Sequence, residues 1–136
     1  MKTNHNAYLL FIALSAALGG LLFGYDTAVI SGAIGNLSKY FDLNAIETGW
    51  AISSALLGCL IGALFSDYLS SKFGRKATMF ITALLFILNS IGTAYPETFT
   101  LFVIFRIIGG IGVGIASMVV PMYIAEIAPP KRRGAL

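Results

Sequence analysis

Residues 99–127 read FTLFVIFRIIGGIGVGIASMVVPMYIAEI. A helix crosses the hydrocarbon core of a bilayer in about 20 residues, at about 1.5 Å of rise per residue. This stretch exceeds that length, so it has room to tilt or to extend past the hydrocarbon. Pro121 lies inside it and can kink the helix, which neighbouring helices tolerate when they satisfy the freed carbonyl. Gly110 and Gly114 stand at GxxxG spacing, which lets a second helix approach closely.

Working outward, three more apolar segments precede it, at about 8–34, 45–66 and 77–94. The fold expected is all-α: a polytopic membrane protein with four spans. The apolar stretch of the first segment is longer than the roughly 7–15 residues of a signal-peptide core, and it carries Asp26, so it is read as a retained span. The expected loops, 35–44, 67–76 and 95–98, are short and polar. Pro96, Pro129 and Pro130 punctuate segment ends. Trp50, Tyr68 and Tyr95 fall near the predicted interfaces, where an aromatic belt belongs.

Composition points the same way. Hydrophobic residues make up 57 % of the 136 and charged residues 11 %, against about 25 % charged in soluble domains. A surface of that kind suits lipid better than water. The net charge is +3, but the basic residues sit beside spans, which argues against a nucleic-acid partner. Lys72, Arg75 and Lys76 follow segment two. Lys131, Arg132 and Arg133 follow segment four, and Lys2 precedes segment one. Only Lys39 falls on the other side, so the positive-inside rule makes both termini cytoplasmic. Cys59 is the single cysteine and His5 the single histidine. No intrachain disulfide forms, and neither a metal site nor a cofactor is expected. An enzyme is the least favoured class: there is no Ser–His or Cys–His pair, no paired carboxylates and no phosphate loop.

GxxxG spacing recurs at Gly20/Gly24 and Gly58/Gly62, so a tight bundle is expected. Asn89, Ser53, Ser54 and Ser117 are expected to join helices by hydrogen bonds. Two charges fall well inside spans. Asp26 lies ten residues before Asn36, and Arg106 eight residues after Thr98. Each is therefore about 12–15 Å below the same boundary. Unpaired, each would cost at least ~2.5–3.5 kcal/mol, so the two are expected to meet or to face water. The pair has two readings: a buried contact that orients two helices, or a protonation site.

Three stretches carry a resemblance: GGLLFGYDTAVISG at 19–32, KFGRK at 72–76, and RIIGGIGVGIASMVVPMYIAEIAPPKRRG at 106–134. Together they resemble the sugar porter family of the major facilitator superfamily, which includes bacterial D-xylose–proton symporters and facilitative glucose transporters. The resemblance implies twelve helices in two halves, with sugar held at the midplane between them and access alternating by rocking. Residues 1–136 would form the N-terminal part of that transporter domain, its first four transmembrane helices, in the cell (inner) membrane. The sequence stops at Leu136, before the fifth helix of the family. The implied partners are a monosaccharide (hexose or pentose), protons, the lipid bilayer and the C-terminal portion of the transporter.

The resemblance also assigns roles. Asp26 would couple protons, with Arg106 as its partner. Phe23 would pack on the sugar. Gly74, Arg75, Lys76, Glu126 and Arg133 would belong to a cytoplasmic gate network, with Gly74 making the tight turn. The loop departs from the family pattern: Asp67 stands where glycine is usual and Ser71 where an acid is usual, so Asp67 is a possible substitute for the missing acid. Two other functions stay open: a four-helix membrane protein without transport, acting as a structural or regulatory partner, and a small oligomeric exporter.

Overall fold

The computed structural model describes residues 3–127, with side chains from Gly24 to Glu126 and, before those, of Leu14, Leu18 and Leu21. Four helices follow one another: α1 (Thr3–Tyr40), α2 (Ala45–Phe73), α3 (Arg75–Ala94) and α4 (Phe99–Ile127). Among the described residues α2, α3 and α4 are each long and apolar enough to cross a membrane. The longest helix, α1, holds the apolar run expected at 8–34.

Two of the expected loops are mostly helix. Residues 35–40 continue α1, and residues 67–73 continue α2. A polar side chain does not end a helix whose backbone bonds are made internally, and these turns lie where polar groups are tolerated. What ends the helices is local. Asp42 takes a positive φ of 52° between α1 and α2. Asn44 then caps α2, its side chain accepting from the Ile46 and Glu47 amides at 2.9 Å, while Glu47 accepts from the Asn44 amide at 2.9 Å. This reciprocal capping box satisfies amides that have no partner inside the helix. At the other end Gly74 alone separates α2 from α3. Its φ of 81° is cheap only for a residue without Cβ. Pro121 is accommodated within α4, which runs unbroken to Ile127.

The central element is α4. It packs most extensively on α2, then on α3, and touches α1 more lightly. The α2–α4 contact is an interlock of glycines. A Cβ at Gly58 or Gly62 would collide with the Ile107 or Ile111 carbonyl, and one at Gly110 or Gly114 with the Ala55 or Cys59 carbonyl, all well inside 3.0 Å. Two of the three expected GxxxG pairs therefore face each other. Gly24, from the third, has nothing within 4 Å. It packs on no described residue.

The interior is small and polar and the exterior apolar. Ala51, Ile115 and Val119 are buried together with Ser54, Ser66, Ser70, Thr78, Thr82 and Asn89. Leu56, Leu64, Phe65, Phe80 and Ile91 are exposed. In lipid no hydrophobic force drives helices together, so small residues that permit close approach fill the centre. The hydroxyls do not join helices as expected. Ser53, Ser54 and Ser117 donate to Gly49, Ala51 and Gly114 on their own helices. A short side chain finds a carbonyl one turn back more easily than one across an interface. Asn89 Oδ1 has no hydrogen-bond partner among the described residues.

Candidate functional site

Arg106 sits on the face of α4 that looks toward α1, with only 5 % of its side chain exposed. Its Nη1 donates to Asp26 Oδ2 at 2.5 Å. The depth argument is thus met in space: two residues 80 apart in sequence, one on α1 and one on α4, place opposite charges at one level. The Asp26 side chain keeps 33 % of its surface open, beside a cavity of about 140 Å³. Asp26 and Ile30 on α1, Thr93 on α3, and Phe102 and Arg106 on α4 are among its walls. A guanidinium does not release its proton in a protein, whereas a carboxylate can hold one or none. Of the pair, Asp26 is the member able to change charge, and it is also the more open one.

The remaining predicted residues are placed unevenly. Phe23 lies on α1 one turn before Asp26, and its side chain is outside the described residues. At the opposite end of the bundle, Arg75 Nε and Nη2 donate to Glu126 Oε1 at 3.1 and 3.0 Å. This pair joins the start of α3 to the end of α4. It is open to solvent, with side-chain exposures of 26 % and 50 %. Lys76 is exposed and forms no ion pair among the described residues. Arg133 lies outside the described residues.

The expected substitute, Asp67, forms no ion pair either. Ser70 takes that place: its Oγ accepts from Arg75 Nη1. Ser70 is buried at 3 % exposure, and its carbonyl also accepts from the Gly74 amide at 3.1 Å. One residue thus holds the turn and steers the arginine. Sequence reasoning missed Ser70, although its position one turn before the glycine break was visible. It also missed Thr93 and Phe102, whose place beside the ion pair depends on how α3 and α4 face α1.

A bundle of membrane-length helices with a small, polar interior and an ion pair joining α1 to α4 defines a polytopic membrane protein. Residues 12–136 match the family described as "Sugar (and other) transporter", and the chain belongs to that family. It is 46 % identical to the D-xylose-proton symporter of Escherichia coli (strain K12), over the whole chain and 33 % of that protein. It is 47 % identical to the glucose transport protein of Synechocystis, over 99 % of the chain and 29 % of that protein. The arabinose-proton symporter of Bacillus subtilis is 42 % identical, again over 99 % of the chain and 29 % of the relative. Among solved structures, the proton:xylose symporter XylE bound to 6-bromo-6-deoxy-D-glucose superposes with a TM-score of 0.89 at 44 % identity, covering 96 % of this chain and 33 % of that one. The chain spans about a third of the length of these relatives.

Proposed function

We propose that this chain is the N-terminal portion of a secondary active sugar transporter that carries a monosaccharide, hexose or pentose, together with protons by alternating access. Membership of the sugar transporter family supports the substrate class, and relatives named as proton symporters support the coupling. The observation that carries the proposal is the Asp26–Arg106 pair beside its cavity. Asp26 is the proton-coupling group. While it is paired, Arg106 stabilises the carboxylate. A conformational change that separates the two leaves a carboxylate in a poorly solvated site, where a proton is the cheapest compensation. Binding at one side and release at the other then follows from access.

Phe23, one turn from Asp26, packs on the sugar. Gly74, Arg75, Lys76, Glu126 and Arg133 act as the gate at the cytoplasmic end, where the excess of Lys and Arg puts both termini. An exposed pair such as Arg75–Glu126 is worth at most about 1 kcal/mol. That suits a latch that must open in every cycle.

The test is transport by the protein carrying this sequence, reconstituted in liposomes with an internal pH dye and radiolabelled D-xylose or D-glucose. Sugar addition is expected to drive proton uptake. Asp26→Asn is expected to lower that uptake more than about tenfold, a barrier change of about 1.4 kcal/mol, while sugar-for-sugar exchange survives. Proton uptake that persists in Asp26→Asn overturns the assignment of Asp26. Sugar movement without any proton flux overturns the symport.

A further inference from the structure

Arg75 ties three helices together. It is the first residue of α3. Its Nη1 donates to Ser70 Oγ near the end of α2. Its Nε and Nη2 donate to Glu126 Oε1 near the end of α4, at 3.1 and 3.0 Å. The two attachments differ in footing. Ser70 is 3 % exposed, whereas the Glu126 side chain is 50 % exposed. The turn beneath Arg75 is bonded on both sides. The Gly74 amide donates to the Ser70 carbonyl, and the Gly74 carbonyl accepts from the amide and the hydroxyl of buried Thr78, at 3.1 and 2.9 Å. The Ser70 hydroxyl also behaves unlike its neighbours. Ser54, Ser66 and Ser117 donate to carbonyls three residues back on their own helices, the local bond that a helical serine finds first. Ser70 instead accepts from the guanidinium.

We propose that Ser70 is a positioning residue for Arg75: it holds the guanidinium on the α2–α3 turn with the Nε/Nη2 edge toward Glu126, and it keeps that hold when Glu126 leaves. A guanidinium is planar and its donors point in fixed directions, so fixing Nη1 fixes where the opposite edge points. A free arginine would lose its rotamer freedom each time the pair formed. Held by Ser70, it has lost that freedom already, and the pair recloses without a search. The exposed bond to Glu126 is open to competition from water, and the bond to a buried hydroxyl is not. The latch therefore parts on the Glu126 side, and α2 and α3 stay joined. The inference rests on the gate proposed above for this end of the bundle.

Sugar-for-sugar exchange in liposomes, by the transporter carrying this sequence, tests it. Ser70→Ala removes the acceptor, and Ser70→Cys nearly fills the same space with a weak one. Each should shift the exchange rate by about threefold or more, in the same direction as Glu126→Ala, and should add less than about 1.5-fold once Glu126 is already alanine. A packing role predicts a wild-type rate for the cysteine variant and an undiminished effect beside Glu126→Ala. Either result overturns the proposal, as does an unshifted rate in Ser70→Ala when Glu126→Ala does shift it. If Glu126→Ala leaves exchange unchanged, the gate reading fails, and a crystal structure of the Ser70→Ala transporter decides the positioning by itself. A guanidinium swung away from Glu126 upholds the role of Ser70; one that stays in place overturns it.

Discussion

The α2–α4 interlock makes Gly110→Ala the sharpest perturbation in the bundle. The added methyl would meet the Ala55 carbonyl, with Ala55 C at 2.9 Å and Cys59 N at 3.0 Å. All of these are backbone atoms, so no change of rotamer relieves the overlap. Ordinary contact needs about 3.5–4.0 Å, and the Ala55 oxygen is the nearest of these atoms, so the two helices must part by about 1 Å or more, which forfeits about half of each contact well. Lost contact and repacking strain together put the cost at about 2–3 kcal/mol. Alanine returns about 0.8–1.0 kcal/mol through helix propensity. The control is Gly24→Ala, the same chemical change at a site with no described residue's atoms within 4 Å, which receives the propensity term alone. The gap between the two variants is therefore the contact term, about 2–3 kcal/mol. By the usual scaling of stability with melting temperature, Gly110→Ala should melt roughly 5–15 °C below Gly24→Ala in detergent. Coincidence of the two melts within about 2 °C would refute the interlock as a determinant of stability.

The other stability predictions are smaller. Glu126→Gln keeps an acceptor for Arg75 but removes the charge of a half-exposed pair, so stability should change by less than about 1 kcal/mol while the rate of sugar exchange shifts. A large loss of stability with unchanged exchange would count against a latch. Asn44→Ala removes the cap of α2 and should cost about 1 kcal/mol, read as a lower denaturation midpoint in detergent. No change there would mean that the capping bonds are replaced by solvent.

How much was legible beforehand differs by feature. The Asp26–Arg106 pair was legible because depth in a membrane follows from counting residues at fixed rise, and because charge at that depth demands a partner. The Arg75–Glu126 pair came from a resemblance alone. Nothing in the spacing of residues 51 apart announces a contact between them. The loop bounds were misjudged because hydropathy marks where lipid ends, whereas a helix ends where its backbone bonds do. Gly74 and the Asn44–Glu47 cap decide that point.

The sequence by itself determined the all-helical class, the apolar segments that three of the helices carry at membrane length, and the shared level of the two buried charges. All of these follow from local composition and from a helix's fixed rise. Only the tertiary structure decided which glycines interlock, that Ser53, Ser54 and Ser117 return to their own helices, and that Ser70 rather than Asp67 bonds Arg75. It also decided that Arg106, one helix away from Asp26 in the bundle, is buried while its partner stays partly open. These depend on the rotation of each helix about its axis, which packing against neighbours sets and hydropathy leaves open.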